Sequence, residues 1–498
     1  MSTQVSGTTQ PVLEVPPHRA SAAQRVIGSI TLPQSGCSIE VLNPATGDAL
    51  ASVPDIDSAG ALRAVSAAEA AGREWAARTP RQRADILRNW FDAIVEHAED
   101  IALLITREMG KPLAEARGEV VYGGEFVRWY AEEAVRPGGN VRDVPSGGGV
   151  LLTRRAPVGL SVLITPWNFP LAMATRKIAP ALAAGCGVVI KPSPLTPLTT
   201  FYAVDLARQA GVPDGLIQVV TTSDAAAFSE AVLRDPRVRK VSFTGSTAVG
   251  KVLLRLASQN VLRCSMELGG DAPLIVFNDA DLERAVSGAY TAKLRNGGQS
   301  CIAANRIFVQ DGIADAFVEG LSERIAATRI GDGLAESVSL GPLIDERAVR
   351  RMQDLVDDAV TRGAVVRAGG NVVAGRGHFF EATVLDGVDP DAAITRTEIF
   401  GPVAAIQRFR TQAEVVQRAN STNYGLAGYV FTESLDRALN VSDALQTGLV
   451  GINQGVPSNV AAPFGGMKHS GLGREGSNEG LDEYQEIRYY NIARRDTD

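Results

Sequence analysis

From residue 160 onward the sequence alternates short β-rich runs with helical segments, and this alternation restricts the fold more than any other feature. The β-rich runs lie at 160–164, 188–191, 216–220, 240–243 and 262–267. Helical patterns lie between them at 171–184, 199–209 and 247–257. Strands and helices that alternate at this spacing predict parallel βαβ units with helices on both faces of a sheet. Such sheets bind ligands at the carboxyl ends of their strands.

A second alternation begins at residues 273–277 and continues to about residue 451. The predicted fold class is therefore α/β, with two Rossmann-type lobes. An extended stretch at 150–155 and a Tyr- and Ile-rich segment at 481–493 are predicted as strands outside both lobes. Before the lobes, apolar residues recur at three- and four-residue steps over 81–109, which predicts one long helix.

Charge and composition exclude several classes of protein. The 498 residues include 49 basic and 56 acidic side chains, a net charge of -7, which argues against a nucleic-acid or anionic-membrane partner. No apolar run approaches the roughly 18 residues that a membrane span needs. Four Cys without CxxC spacing and four His predict neither a disulfide scaffold nor a metal site. The polar residues 1–20 predict a disordered tail without a signal peptide, and thus a cytoplasmic protein.

Three side chains are candidates for catalysis. Cys301 follows the sequence Asn-Gly-Gly-Gln-Ser, and a thiol on such a loop can be exposed enough to react. Glu267 ends a strand-like run and precedes two glycines, which suits a general base. Asn168 links a strand to a helix, where its amide can face a developing oxyanion. Each alone also fits a common structural role: a buried thiol, a surface acid and a turn Asn.

Two loops suit a nucleotide. Gly245 and Ser246 join a strand to a helix N-terminus, where the backbone can approach a pyrophosphate, although the GxGxxG pattern is absent. Lys191 follows another strand and can meet a ribose hydroxyl or a phosphate. A thiol, a base and two such loops at the ends of strands favour covalent catalysis with a dinucleotide over a pure scaffold.

The chain resembles the aldehyde dehydrogenase superfamily from about residue 44 to 492. The motifs that carry this resemblance are Pro166-Trp167-Asn168-Phe169-Pro170, Met266-Glu267-Leu268-Gly269-Gly270, Gly298-Gln299-Ser300-Cys301, Glu398-Ile399-Phe400-Gly401-Pro402 and Pro463-Phe464-Gly465-Gly466. Other stretches are most similar to the succinate-semialdehyde dehydrogenase branch: Ala174-Thr175-Arg176-Lys177, Leu340-Gly341-Pro342-Leu343-Ile344-Asp345-Glu346 and Ser470-Gly471-Leu472-Gly473-Arg474-Glu475-Gly476-Ser477.

The resemblance implies a role for each candidate. Cys301 would attack the aldehyde, Asn168 and the Cys301 N–H would hold the oxyanion, and Glu267 would activate the water that hydrolyses the thioester. The cofactor would contact Thr165, Pro166, Trp167, Lys191, Ser193, Pro194, Gly245, Ser246, Leu268, Glu398 and Phe400. The implied domains are a cofactor domain (21–136 and 157–266), a catalytic domain (267–455) and a small β oligomerisation extension (137–156 and 478–498). A homodimer or homotetramer follows from that extension.

The resemblance also suggests the substrate and the cofactor. Arg176, Arg295 and Ser458 look like the residues that bind the carboxylate of succinic semialdehyde, unless the arginines pair with surface acids. Many NAD-using relatives carry a Glu three residues after the lysine, and Pro194 stands there instead. The loss of that carboxylate removes repulsion against a 2′-phosphate, so NADP is expected to be preferred, with NAD also possible.

Two other functions remain open on the sequence alone. A dehydrogenase of another aldehyde, such as glutarate semialdehyde or an uncharged one, would share most of these residues. A thiol esterase on the same fold would need Cys301 and Glu267 but no cofactor. A silent binding protein is disfavoured, because it has no chemical need for Cys301, Glu267 and Asn168 together.

Overall fold

The computed structural model describes residues 10–33, 36–136 and 138–494, which fold into two large sheets, two small sheets and covering helices. The helices are α1 (Pro17–Ser29), α2 (Ser58–Ala77), α3 (Pro80–Glu96), α4 (Ala98–Met109), α5 (Leu113–Glu133), α6 (Pro170–Ala184), α7 (Leu198–Gln209), α8 (Ala225–Leu233), α9 (Thr247–Ala257), α10 (Leu282–Leu294), α11 (Ala314–Ala326), α12 (Glu346–Thr361), α13 (Gln412–Asn420), α14 (Leu435–Ala444) and α15 (Ser477–Asp482). The strands are β1 (Ser38–Leu42), β2 (Ala49–Pro54), β3 (Val141–Asp143), β4 (Gly149–Pro157), β5 (Leu160–Ile164), β6 (Val188–Lys191), β7 (Ile217–Val219), β8 (Val238–Thr244), β9 (Arg263–Glu267), β10 (Ala272–Val276), β11 (Ala304–Gln310), β12 (Val365–Ala368), β13 (Thr383–Asp386), β14 (Val403–Phe409), β15 (Ala427–Phe431), β16 (Leu449–Ile452), β17 (Gly471–Leu472) and β18 (Gln485–Ala493).

The first large sheet confirms the predicted βαβ alternation. Its strand order is β17-β9-β8-β5-β6-β7, and every pair except β17 with β9 is parallel. The residues of β5 and of β6 are all buried, because helices cover both faces of the sheet. The carboxyl ends of β5, β8 and β9 therefore meet at one edge of the sheet, where the predicted ligand loops begin.

The second large sheet confirms the second lobe. Its strand order is β12-β13-β14-β11-β10-β15-β16, and only the edge strand β12 runs antiparallel. Both lobes are built in the same way, because neighbouring parallel strands are joined by crossover helices. These helices bury both faces of the sheet. The described helices include none with the length and apolar character that a membrane crossing needs.

The predicted strands outside the lobes form a separate three-stranded antiparallel sheet, in the order β18-β4-β3. β18 pairs with β4 along its whole length, from Gln485 opposite Pro157 to Ala493 opposite Gly149. Residues 481–482 of the predicted strand belong instead to α15. Apolar side chains of this sheet face solvent, among them Val141, which is 70% exposed.

The predicted helix over 81–109 is wrong, because two helices share this segment. His97 separates α3 from α4 with φ -98° and ψ 22°, outside helical geometry. Its ring nitrogen Nδ1 lies 3.3 Å from Asp100 Oδ2 and 3.2 Å from the Tyr202 hydroxyl. These two partners, one local and one distant in sequence, hold the turn, although the apolar spacing continues across it.

The predicted tail and domain boundaries also need correction. Residues 1–9 lie outside the described residues, but 17–20 begin α1, which has Pro17 at its first position. Ala23 and Val26 of α1 are buried in the core, so this segment is ordered by packing. Residues 456–477, which the predicted domains leave out, bring β17 onto the first sheet, with Gly471 opposite Glu267. Pro137 and 495–498 of the predicted oligomerisation segments lie outside the described residues.

Candidate active site

A cavity of about 1040 Å³, including its open mouth, lies where the loops of the two lobes meet. Twelve of the predicted site residues line it: Pro166, Trp167, Asn168, Arg176, Gly245, Ser246, Leu268, Arg295, Cys301, Glu398, Phe400 and Ser458. Five do not: Thr165, Lys191, Ser193, Pro194 and Glu267. The structure thus brings the candidate thiol, the candidate oxyanion donor and two arginines to one space.

The backbone around Cys301 explains why glycines precede it. Asn296, Gly297 and Gly298 have φ of 58°, 62° and 71°, and this left-handed run ends the helical segment that follows α10. A Cβ on Gly298 would lie 2.1 Å from the Gly401 carbonyl oxygen, and one on Gly270 would lie 2.1 Å from the Cys301 carbonyl oxygen. Side chains at these glycines would therefore displace the loop that presents the thiol.

The Cys301 thiol is half-buried and protonated at rest. Burial raises its pKa to about 12, and the Arg176 cation is the main charge that opposes the rise. Glu398 and Glu267 raise this pKa further. A nucleophilic attack must therefore be accompanied by removal of the thiol proton.

Asn168 lies directly beside the Cys301 loop. Its side-chain nitrogen Nδ2 donates to the Gln299 carbonyl oxygen at 3.0 Å, and its side chain reaches the cavity that Cys301 lines. Its own carbonyl oxygen accepts from Asn296 Nδ2 at 3.0 Å and from Lys111 Nζ at 2.8 Å. The amide has two N–H donors, so one remains for an oxyanion while the other holds the loop.

Glu267 ends β9, as predicted, but its carboxylate is buried outside the cavity lining. Neither carboxylate oxygen has a hydrogen-bond partner among the described residues, and Oε1 lies 2.9 Å from the point that a Cβ on Gly465 would occupy. Burial raises the pKa of Glu267 well above the usual carboxyl range, and the nearby Glu475 adds to the rise. A carboxylate without a partner retains its full basicity for a water molecule, provided that it turns toward Cys301.

The partner of Arg176 is a buried acid. A surface acid had been expected as the alternative to a role in substrate binding. Its guanidinium forms an ion pair with Glu475, whose other carboxylate oxygen accepts from Lys177 Nζ. Although burial favours the neutral acid, these two cations lower the pKa of Glu475. Arg176 still lines the cavity and lies 4.6 Å from the centre of the Phe464 ring. Its charge is therefore already neutralised before any substrate binds.

Arg295 differs from Arg176 in this respect. It lies at the end of α10, half-buried on the cavity wall, with its guanidinium 5.2 Å from the centre of the Phe169 ring. Within the described chain it makes no ion pair and no hydrogen bond through its side chain. Ser458 lines the same cavity. Among the described arginines that line the cavity, Arg295 is thus the one whose side chain makes neither an ion pair nor a hydrogen bond, which leaves its guanidinium available to an anionic ligand.

Another part of the cavity lining has the features of a nucleotide site. Gly245 and Ser246 line it at the N-terminus of α9, which Ser246 caps through a 3.4 Å hydrogen bond from Val249 N. Glu398 accepts from Gly270 N at 3.1 Å, and burial raises its pKa to about 7. Phe400, with φ 57°, packs edge-to-face on Trp167 at 5.4 Å.

Lys191 supplies a further cation next to these loops. Its side chain is buried at the end of β6 without an ion-pair partner among the described residues, and burial lowers its pKa to about 8. Ser193 Oγ accepts from Leu195 N at 3.2 Å, and Pro194 between them carries no charge. A buried ammonium without an ion-pair partner, at the carboxyl end of a parallel strand, fits a phosphate or a ribose hydroxyl.

Sequence reasoning missed several cavity residues. The lining also contains Tyr122, Phe169, Met173, Thr244, Gly269, Ser300, Ile302, Arg351 and Phe464. Tyr122 and Met173 reach it from the helices α5 and α6, whose apolar patterns carry no sign of a site. Glu475 lies in one of the motifs that carry the family resemblance. Nothing in the neighbouring sequence indicates that it pairs with Lys177, which is 298 positions away.

Comparison with known proteins agrees with this fold. The model of the aldehyde dehydrogenase family matches residues 31–490, and the chain therefore belongs to that family. A succinate-semialdehyde dehydrogenase [NADP(+)] of Escherichia coli (strain K12) is 47% identical over 92% of this chain and 95% of the relative. A glutarate-semialdehyde dehydrogenase of Pseudomonas putida is also 47% identical, over the same shares. The crystal structure of an aldehyde dehydrogenase from Brucella melitensis biovar abortus 2308 superposes with a TM-score of 0.91 at 47% identity, covering 92% of this chain and 95% of that one.

Proposed function

We propose that this enzyme oxidises an ω-carboxylated semialdehyde, succinic semialdehyde or a near homologue, with NADP or NAD as the oxidant. The observation that carries the proposal is the unpaired Arg295 guanidinium in the cavity that also holds Cys301 and Asn168. An aldehyde at the thiol would then have an anion-binding group at its other end. The named activities of the two semialdehyde-oxidising relatives support this choice of substrate class.

In the first half-reaction, the acyl group of the substrate becomes attached to the Cys301 sulfur. Cys301 releases its proton to solvent at the open mouth of the cavity, and its sulfur bonds to the aldehyde carbon, which leaves a negative oxygen on a thiohemiacetal. The free N–H of Asn168 and the Cys301 backbone N–H stabilise that oxygen, an effect worth about 2.7–4 kcal/mol for one donor. A bound NADP or NAD would supply the acceptor for the hydride of this carbon. The Cys301 sulfur then carries the acyl group as a thioester.

The second half-reaction releases the acid. Glu267 takes a proton from a water molecule, whose oxygen bonds to the thioester carbon while the carbon–sulfur bond breaks. Its raised pKa makes it a stronger base once it is ionised, and its lack of a partner leaves it able to turn toward Cys301. The Arg176–Glu475–Lys177 cluster lies around it, and its two cations favour the ionised form of Glu267.

The cofactor would be held by groups on both lobes. Gly245 and Ser246 would meet the pyrophosphate at the start of α9, Glu398 would hold the nicotinamide ribose, and Lys191 with Ser193 would hold the adenosine ribose. We propose NADP as the preferred form, because Pro194 places no carboxylate against a 2′-phosphate near Lys191.

Replacing Pro194 by Glu tests that preference. The new carboxylate would repel a 2′-phosphate, so the ratio of kcat/KM with NADP to that with NAD is expected to fall at least about tenfold. Initial rates with each cofactor at saturating aldehyde measure it, with Pro194→Ala as the uncharged control. An unchanged ratio in Pro194→Glu, or a wild-type enzyme that prefers NAD, would contradict the preference.

Replacing Arg295 by Met tests the substrate class. Loss of a charge-assisted bond to the carboxylate is expected to lower kcat/KM for succinic semialdehyde about 10- to 150-fold, equivalent to about 1.5–3 kcal/mol. For butyraldehyde, which has the same chain length without the carboxylate, the change is expected to be below about threefold. Initial rates with both aldehydes measure the difference.

Two variants serve as controls for Arg295→Met. Arg295→Lys keeps the charge and should retain part of the preference for the carboxylated aldehyde. Arg284→Met removes an arginine from the first turn of the same helix α10 and should change neither rate. Equal losses for both aldehydes in Arg295→Met would remove Arg295 from the substrate site.

A panel of succinate, glutarate and uncharged aldehydes, each run with NADP and with NAD, tests the proposal as a whole. We expect aldehyde-dependent formation of reduced cofactor, fastest with a carboxylated semialdehyde. Ester hydrolysis without cofactor, and no aldehyde oxidation, would instead favour the thiol esterase.

We further propose a homodimer or homotetramer in the cytoplasm. The exposed apolar face of the β18-β4-β3 sheet, with Val141, Ile487 and Tyr489, supports association with another copy. The scattered cysteines support a reducing compartment.

A further inference from the structure

A buried ion pair lies behind the Asn168 loop, outside the cavity. Lys111 follows α4 and Glu119 lies on α5, and Lys111 Nζ is 2.5 Å from Glu119 Oε2. Both side chains are 1% exposed. Neither residue lines the cavity, so neither contacts a substrate there.

The pair makes directional hydrogen bonds to the segment that carries Asn168. Lys111 Nζ donates to the Asn168 carbonyl oxygen at 2.8 Å and lies 4.0 Å from the centre of the Phe169 ring. Glu119 Oε1 accepts from the backbone N–H groups of Leu171 at 2.9 Å and Ala172 at 3.2 Å, in the first turn of α6. The two charges therefore hold the backbone on both sides of Phe169.

The same carbonyl oxygen connects the pair to the nucleophile loop. Asn296 Nδ2 donates both to the Asn168 oxygen at 3.0 Å and to the Gln299 oxygen at 2.9 Å, and Asn168 Nδ2 also donates to Gln299. The backbone N–H of Asn296 in turn donates to Glu115 on α5, at 2.7 Å. One short stretch of the chain, 111–119, thus fixes the Asn168 loop and the Cys301 loop relative to each other.

We propose that Lys111 and Glu119 are positioning residues for the oxyanion site, an inference that rests on the proposed function. They keep the side-chain amide of Asn168 aimed at the space beside the Cys301 sulfur. A buried ion pair is a poor source of stability, because the loss of hydration offsets the attraction between the charges. The pair instead fixes the orientation of the backbone. Apart from the bond between its two members, every hydrogen bond that the pair makes is to the Asn168 segment. An oxyanion donor displaced by about 1 Å loses much of its effect on the rate.

A double-mutant cycle between Lys111→Met and Asn168→Ala tests this inference in the full-length protein. The readout is the rate of the first turnover, followed as reduced cofactor formed after rapid mixing with succinic semialdehyde. Asn168→Ala is expected to slow it about 10²- to 10³-fold, and Lys111→Met about 10- to 100-fold. Because Lys111 acts through Asn168, the double variant is expected to be about as slow as Asn168→Ala alone. The KM for the aldehyde should change less than about threefold in Lys111→Met.

Arg83→Met is the matched control. Arg83 is also buried, and its Nε donates to the Ala183 carbonyl oxygen at 3.1 Å, at the opposite end of α6. Arg83 lies on α3, so its loss removes a buried cation that contacts the far end of α6 without touching the Asn168 loop. Arg83→Met is therefore expected to lower the Tm while leaving the first-turnover rate within about threefold of wild type.

Three results would overturn the inference. In the first, the rate losses of Lys111→Met and Asn168→Ala multiply in the double variant. In the second, Arg83→Met slows the first turnover as much as Lys111→Met does. In the third, Lys111→Met leaves the first-turnover rate unchanged. If Lys111→Met does not fold, the same cycle is run with Glu119→Gln, which keeps an acceptor for Leu171 N but removes the charge, and the same criteria apply. An active wild type with multiplying losses rejects only the positioning role, whereas a wild type that reduces no cofactor with any aldehyde rejects the proposed function as well.

Discussion

Replacing Cys301 by Ala is expected to lower aldehyde oxidation by at least about 10⁴-fold, the scale seen when a covalent nucleophile is removed. Cys301 is the one cysteine in the described cavity lining, which it shares with Asn168 and Arg295, and it lies on a loop built around left-handed residues. Without it neither the thiohemiacetal nor the thioester can form. Steady-state formation of reduced cofactor, with excess enzyme to detect slow rates, measures the loss.

Two controls separate this loss from damage to the fold. Cofactor affinity, followed by quenching of tryptophan fluorescence, should be unchanged in Cys301→Ala, because the Cys301 side chain is not among the groups proposed to hold the nucleotide. Cys264→Ala removes a half-buried thiol from β9, the strand that ends at Glu267, and should keep the rate within about twofold. Comparable losses in both variants would mean that oxidation does not proceed through Cys301.

Replacing Glu267 by Gln is expected to lower the steady-state rate about 10²- to 10⁴-fold while the first turnover persists. The amide cannot take the proton of the hydrolytic water, so the acyl group remains on sulfur after the hydride has left. Rapid mixing should then show one equivalent of reduced cofactor per active site, followed by a slow phase. In the wild type, the phase that follows the first turnover should be much faster than in Glu267→Gln.

The pH dependence of the same step follows from the position of Glu267. Burial, with the charge of Glu475, raises the pKa of Glu267. A base acts only when ionised, so thioester hydrolysis in the wild type should rise with pH until it passes that raised pKa, above the usual carboxyl range. In Glu267→Gln this rise should be absent. Glu108→Gln, a change at a buried carboxyl that accepts from Leu198 N and Thr199 N, is the matched control and should keep both phases. Loss of the first turnover in Glu267→Gln would assign Glu267 to an earlier step.

The parts of the fold that were predicted correctly are those with strong local patterns. Residues 160–164 and 188–191 have the predicted bounds because strands buried on both faces read as continuous apolar runs that Gly or Pro ends. Helix 247–257 was also predicted with its observed bounds, since Ser246 supplies the N-cap just before it. Such sheets bind ligands at the carboxyl ends of their strands, so the loops that carry Asn168 and Gly245 were predicted as candidate site loops.

The parts that were missed depend on contacts between distant segments. The break at His97 is held by Tyr202, more than a hundred residues away, while the apolar spacing of 81–109 runs on. The partner of Arg176 is Glu475, and a lone Glu in a Gly-rich segment carries no sign of a buried partner. Lys111 was missed for the same reason, since its two contacts lie in different elements.

Intact-protein mass spectrometry of Glu267→Gln, quenched in acid shortly after mixing with succinic semialdehyde and NADP, tests most directly whether the chemistry runs through sulfur. The protein should gain the mass of one succinyl group, and peptide mapping should place that group on Cys301. Cys301→Ala/Glu267→Gln should show no gain. Reduced cofactor formed in stoichiometric amount without any acylated protein, or an acyl group on another residue, would contradict the mechanism.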